Sequence, residues 1–237
     1  MASSAATAAA QAPSAGNLTT EAADVGSVIE ASNGSGGTNR IYIQDITSTA
    51  NLGIPLDLKR IAFKCRNTEF NPRRHGAIVM KLRDPPGVTC LLFASGKVCL
   101  KGCNTIPQAS MAAQRLSKIL QHIGYTPKEY LDFKVANIVA SADVGFPLRL
   151  EALGYAHSMF ASFEPEIFPG VVYRLVHPRV VFMVFSSGKL VMTAAKTEAD
   201  LSVAFAKMYP ILMDFKKDSV PMMPKNTSTS EEGTDVP

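Results

Sequence analysis

The sequence predicts an α+β protein made of one domain written twice. Three observations carry this. The stretch LLFASGKVCLKG, Leu91 to Gly102, returns as MVFSSGKLVMTA, Met183 to Ala194, with Phe before the turn and Lys after the glycine each time. Around each hairpin the apolar residues alternate with period two, and a helix-period stripe closes each copy. At 237 residues and 46% hydrophobic content, the chain is long enough for two real cores.

The ends stand apart from those cores. Residues 1–39 are mostly Ala, Ser, Thr and Gly with three acids (Glu21, Asp24, Glu30) and no Lys or Arg. Such a composition buries too little apolar surface to offset its ordering entropy, so a disordered tail is expected there. Residues 218–237, rich in Pro, Ser, Thr and acid, read the same way. MASSAATAAAQ lacks a basic n-region, and the apolar run near VVFMVF is far too short to span a bilayer. A soluble intracellular protein with no membrane partner is expected. Between Arg40 and Lys217 about 23 Lys and Arg stand against about 13 Asp and Glu, a surplus that suggests an anionic partner. The four cysteines (Cys65, Cys90, Cys99, Cys103) form no C-x-x-C pair and fit a reducing compartment.

The duplication extends well beyond the hairpin. Asp45-Ile46 followed by LGIPLDL aligns with Asn137-Ile138 followed by VGFPLRL at an offset of 92 residues. Pro72, His75, Lys81 and Pro85 align with Pro165, Phe168, Arg174 and Pro178 at 93. One extra residue in the Pro85-Pro86-Gly87 turn restores 92 at Phe93 and Phe185. The expected boundaries are 40–130 and 131–217, and units of this length form a pseudo-twofold pair rather than a solenoid.

Within each copy a short strand (41–49, 134–142) leads to a first helix (56–64, 148–160). Strands follow at 77–83, 88–94 and 97–103, and again at 170–177, 180–186 and 189–195. Ser-Gly-Lys at 95–97 and 187–189 is tight-hairpin chemistry. Thr197 and Asp200 have capping-box spacing, and Leu201, Ala204, Phe205 and Met208 recur on one face behind them. In the first copy Leu116, Ile119, Leu120 and Ile123 form that stripe, with Arg115, Lys118 and His122 off it.

Alternation in VVFMVF puts Phe182 and Val184 on one face and Val181, Met183 and Phe185 on the other. Val191, Thr193 and Ala195 join the second set. Two helices per copy cannot cover both faces of a sheet, and antiparallel sheets normally solvate the free one. Either the copies pack face to face as a sandwich, or one continuous sheet keeps an apolar face for a partner.

The residues that decide between these resemble a known family. EPEIFPGVVYRLVHPRVVFMVFSSGKLVMTAAK (Glu164 to Lys196), its counterpart FNPRRHGAIVMKLRDP with CLLFASGK, LDFK (Leu131 to Lys134) and ANIV (Ala136 to Val139) resemble the TATA-box-binding proteins and their related factors. The likeness covers about residues 41–217. It implies a saddle: a ten-stranded curved antiparallel sheet, four helices on the convex face, and a concave underside seated in the DNA minor groove, the binding mode for which this family is itself the known example. It also implies two Phe pairs that wedge between base steps, of which Phe168 and Phe185 form the second. An Asn in each copy donates to minor-groove acceptors, here Asn137, on a floor with Val139, Val191 and Thr193. Arg74, Lys81, Lys97, Arg174, Arg179 and Lys189 match phosphate contacts.

The first copy departs from that pattern. His75 stands at a wedge position, leaving Phe93 unpaired. Asp45 stands at the Asn position and, once ionised, has no donor for adenine N3 or thymine O2. Thr47, Cys99 and Lys101 replace the residues matching Val139, Val191 and Thr193, and an Asp45–Lys101 pair is expected. The expectation is weak TATA preference, with the duplex gripped on one side.

The resemblance further implies a nuclear initiation factor with protein partners. Glu164, Glu166 and Ile167 match the loop that contacts transcription factor IIB, and Arg115, Lys118 and His122 lie where transcription factor IIA or a regulator binds. TBP-associated and polymerase-specific factors are implied partners, and a weak homodimer when free is left open. No enzyme activity, cofactor or metal is expected. Cys99 and Cys103 share a strand face by alternation while Cys90 points away, and His157 and His177 have no nucleophile or carboxylate at catalytic spacing.

Overall fold

The computed structural model describes residues 27–32, 37–127 and 132–217. The predicted C-terminal tail (218–237), the first 26 residues and the 130/131 boundary lie outside them. β1 (Val28–Ser32) precedes the first repeat, which holds β2 (Thr38–Asn51), α1 (Leu58–Lys64), β3 (Thr68–Glu69), β4 (Ala77–Lys81), β5 (Thr89–Phe93), β6 (Lys97–Cys103) and α2 (Ile106–His122). The second contains β7 (Lys134–Asp143), α3 (Leu150–Ala156), β8 (Ala161–Ser162), β9 (Gly170–Leu175), β10 (Val180–Phe185), β11 (Lys189–Ala195) and α4 (Glu198–Asp214).

These strands form one antiparallel sheet in the order β3-β4-β5-β6-β2-β7-β11-β10-β9-β8, with β1 added to β2. The sandwich is therefore excluded. The copies join edge to edge through β2 and β7, where Asp45 pairs with Val139 and Thr47 with Asn137. This exchange of equivalent positions places a pseudo-dyad between the two strands.

The second strand set stays partly open because the helices fill only one face. Val180, Phe182 and Val184 are buried under the helices, whereas Val181, Met183 and Phe185 are only half-covered on the other side. α2 and α4 bury Leu116, Leu120, Leu201, Phe205 and Met208. Thr105 caps α2 by accepting from the Gln108 amide, and Thr197 with Asp200 forms the reciprocal capping box of α4. The hairpins require their glycines. Gly96 and Gly188 have φ of +82° and +93°, and a Cβ there would run into the carbonyls of Ile54 and Phe146.

Three expectations need correction. The segment expected to be disordered through residue 39 contains β1, whose register pairs Val28 with Tyr42 and Ser32 with Thr38. β1 holds because VIEAS alternates: Ala31 is 1% exposed and Ile29 packs on the core, against α4. The helix expected over 148–160 ends at Ala156, where residues 157–160 turn into β8.

The third correction concerns parity. Both inner hairpin strands carry a register shift beside the central strands, at Ile46/Ser48 and Met192/Ala195. Gly102 and Ala194 take the extra place with φ of +86° and +70°. Beyond the bulge alternation inverts, so Cys103 and Ala195 turn into the core instead of sharing the open face with Cys99 and Thr193. Cys90 and Cys103 therefore lie on one side together, and Cys99 alone is half-buried on the other.

Candidate nucleic-acid interface

The uncovered face is organised in cross-strand rows. In the second repeat Val172, Met183, Val191 and Ser141 are opposed in register across four strands. The first repeat answers with Val79, Leu91, Cys99 and Thr49. Nearer the centre Arg174, Val181 and Thr193 form a row whose counterpart is Lys81, Thr89 and Lys101. Met183 is on this face as alternation predicts; Val79, Leu91 and Val172 also belong to the floor and escape the sequence reading, although their alternation with buried neighbours marks them.

At the pseudo-dyad the two repeats build the same hydrogen bond with different chemistry. Asn137 Oδ1 accepts from the Ala194 amide at 2.7 Å and from the Thr193 hydroxyl at 3.2 Å. Because the Ala194 amide can only donate, the oxygen must be the atom facing it, which leaves both Nδ2 protons toward the open face. Asp45 Oδ1 accepts from the Gly102 amide at 2.6 Å, and Asp45 Oδ2 accepts from the Thr47 hydroxyl at 3.1 Å. The bulge thus fixes either residue, and only Asn137 keeps donors free. The expected Asp45–Lys101 pair is not formed: among the described residues the ion pairs are Arg115–Asp84 and Lys134–Asp132.

The ends of the sheet differ as well. Phe168 and Phe185 lie with ring centroids 5.7 Å apart and planes inclined by 60°. Gly170 makes room for them, because a Cβ there would sit 2.9 Å from Phe168 Cε1 and 2.9 Å from the Val184 carbonyl oxygen. In the first repeat Ala77 opposes Phe93 where Gly170 opposes Phe185. No ring contact joins His75 to Phe93; His75 is exposed and Phe93 is 39% exposed. Both wedge positions leave equivalent turns, since the His75 amide donates to Asn71 O and the Phe168 amide to Glu164 O, each at 2.9 Å.

The remaining site residues are surface groups. Arg74, Lys81, Lys97, Arg174, Arg179 and Lys189 are all exposed. Lys97 and Lys189 open β6 and β11 directly after the tight turns. Glu164 and Glu166 are exposed and Ile167 is 80% exposed in the turn before Phe168. Arg115, Lys118 and His122 lie along α2 beside a groove of about 580 Å³ that Lys64, Arg66 and Arg83 also line. Arg115 reaches Asp84 at 3.7 Å, and His122 Nδ1 lies 2.7 Å from the Lys118 carbonyl.

The other titratable groups are structural. Burial pushes the Cys90 thiol up to about 12 and the Cys103 thiol to about 11, and it raises Cys99, whose neighbour Lys101 pulls the other way. His157 Nδ1 is 3.2 Å from the Tyr173 hydroxyl, and its ring packs against Tyr173 and Phe215. Among the described residues no cluster of three or more His, Cys, Asp or Glu could hold a metal ion, and no helix is long and apolar enough to cross a membrane.

Comparison with known proteins gives a consistent result. The family model described as "Transcription factor TFIID (or TATA-binding protein, TBP)" matches residues 40–123 and 132–215. The TATA box-binding protein-like 2 of Takifugu rubripes is 48% identical over 175 residues, which cover 74% of this chain and 54% of that protein. The TATA-box-binding protein of Acanthamoeba castellanii is 47% identical over 175 residues, covering 74% of this chain and 67% of its own length. The chain thus spans between about half and two thirds of the curated relatives' lengths. Among solved structures, Methanococcus jannaschii TBP superposes with a TM-score of 0.66 at 33% identity, over 73% of this chain and 98% of that one.

Proposed function

The chain belongs to the TATA-binding protein family, and on that premise we propose that it is a nuclear, non-catalytic transcription initiation factor that binds and bends promoter DNA through its underside. One observation carries this reading. The second repeat holds a packed Phe168–Phe185 pair at one end of an open apolar floor and free Asn137 amide donors at the pseudo-dyad. Unstacking one base step costs a few kcal/mol, as in other minor-groove wedges and in this family itself, and rigid aromatic faces offset it. Amide protons at the centre suit the adenine N3 and thymine O2 acceptors of A·T pairs. The exposed cations at the rim, Arg174, Lys189, Lys97, Arg74, Arg179 and Lys81, supply the phosphate contacts.

The first repeat supports reduced TATA preference, because its wedge lacks a ring contact and its central carboxylate lacks donors. Protein partners complete the role: a transcription factor IIB-like protein at Glu164, Glu166 and Ile167, and a transcription factor IIA-like or regulatory protein at Arg115, Lys118 and His122. The carboxylate of Asp45 on the floor favours a second reading, a platform that reaches promoters through proteins and holds DNA weakly.

Affinity, salt slope and end-to-end fluorescence transfer on a TATA duplex and on a scrambled GC-rich duplex separate the two readings. A steep salt slope with a bend on the TATA duplex supports the DNA-bending factor. Weak, unbent and equal binding to both sinks it in favour of the platform.

A further inference from the structure

Asp45 is the one floor residue whose chemistry opposes that of its pseudo-dyad mate, and its setting is built rather than incidental. Oδ1 is pinned by the Gly102 amide and Oδ2 by the Thr47 hydroxyl, so the carboxylate cannot rotate away from the centre of the floor. An ionised carboxylate offers about four acceptor positions, and the protein uses two of them. Thr47 spends its proton on Asp45, where the equivalent Val139 has none. The centre of the first repeat therefore presents acceptors, and the centre of the second presents amide protons.

A minor groove can answer acceptors in only one way. A·T and T·A pairs show acceptors alone there, while G·C pairs add the N2 amino group of guanine, the single donor on that edge. We propose that Asp45 reads guanine: its carboxylate accepts from guanine N2 at a G·C pair beside the pseudo-dyad, so that one half of the site is specified as A·T by Asn137 and the other as G·C by Asp45. This rests on the DNA-binding reading above. Two neighbouring features agree with it. Cys99 replaces the bulkier Val191 on the floor, leaving more room beside a projecting amino group. Lys101 stands in the adjacent row where Thr193 stands in the other half, adding a cation to the half of the floor that carries the carboxylate. A narrow A-tract groove also carries the stronger negative potential, which a carboxylate avoids.

The test uses the full-length chain and an otherwise A·T duplex with one pair beside its centre varied as A·T, G·C, inosine·C or 2,6-diaminopurine·T. Inosine deletes the N2 amino group and diaminopurine restores it on an A·T-like pair, so amino group and sequence are separated. Because the saddle can turn end for end on the duplex, one varied pair suffices. The expected result is about tenfold tighter binding to G·C and diaminopurine·T than to A·T and inosine·C, the scale of one base-edge contact. Asp45→Asn, which keeps the acceptor for the Gly102 amide, is expected to invert that order. Equal binding to G·C and inosine·C, or a preference that survives Asp45→Asn, overturns the inference while leaving DNA binding intact. Failure to bind any of the four duplexes overturns the DNA-binding reading itself, and the inference with it.

Discussion

The ring of Phe168 occupies the space that a side chain on Gly170 would need: a Cβ at Gly170 would stand 2.9 Å from Phe168 Cε1. The packing of the Phe168–Phe185 pair therefore depends on the absence of a side chain at Gly170. Gly170→Ala is expected to displace the Phe168–Phe185 pair and to lower affinity about tenfold with a smaller bend, since wedge insertion must offset a few kcal/mol of unstacking. Fluorescence transfer on an end-labelled duplex checks it, and an unchanged bend would show that the pair adapts.

The same relationship explains why one substitution would not restore the first wedge. Ala77 holds a Cβ where Gly170 has none, so His75→Phe alone has no seat beside Phe93. His75→Phe combined with Ala77→Gly is expected to increase the bend beyond that of His75→Phe alone. Equal bends for the single and double variants would refute the steric account.

Ser48 is fully buried, and its hydroxyl has no hydrogen-bond partner. Its repeat mate is Ala140, which is buried equally well with no polar atom to satisfy. Ser48→Ala is expected to stabilise the fold by about 1 kcal/mol, the order of an unmade buried hydrogen bond. Thermal melting reads this directly, and a lower Tm would mean that the hydroxyl is satisfied in solution.

Salt dependence separates phosphate contacts from floor contacts. Arg174→Ala and Lys189→Ala should each flatten the slope of log K against log salt by about 0.9, and together by about twice that. Asp45→Asn should change base preference and leave the slope nearly unaltered. A slope untouched by both basic substitutions would remove these residues from the phosphate-contact set.

Cys90 and Cys103 give stability a defined alkaline limit. Their thiols, ordinarily near 9.0, are raised in the fold to about 12 and about 11 by burial. The native state holds these protons more tightly than the unfolded chain, so their contribution is complete below about pH 9 and is lost as pH rises toward 11 to 12. Denaturant midpoints should be flat in this respect up to pH 9 and fall above it, and Cys90→Ala should soften the fall. Thiol labelling at neutral pH is expected to reach Cys65 and Cys99 well before Cys90 and Cys103.

Much of this architecture is legible in the sequence because the signals are local and repeated. VVFMVF sorts its side chains by alternation alone, the Ser-Gly-Lys turns fix their hairpins, and the 92-residue offset supplies a second copy of every inference. The resemblance settled the continuous sheet that alternation left open. What escaped is non-local. The bulges invert the faces of Cys103 and Ala195 because a neighbouring strand demands an extra residue, and Ala194, with positive φ, carries no glycine to mark the place. β3 and β8, at two residues each, are too short for any period. β1 is embedded in a polar, low-complexity stretch, and its five residues become a strand only because β2 and α4 are there to receive them. Gly170 opens a strand that alternation predicts, but nothing in its local sequence shows that its missing side chain makes room for the Phe168 ring.

That dependence of β1 on α4 sets an order in time. Val28–Ser32 leaves the ribosome among the first residues of the fold, yet part of its seat is the last helix of the chain, Glu198–Asp214. β1 cannot complete its packing until translation has passed Asp214, so the earliest strand to be synthesised is among the last to be seated, and its arrival reports that both halves have come together.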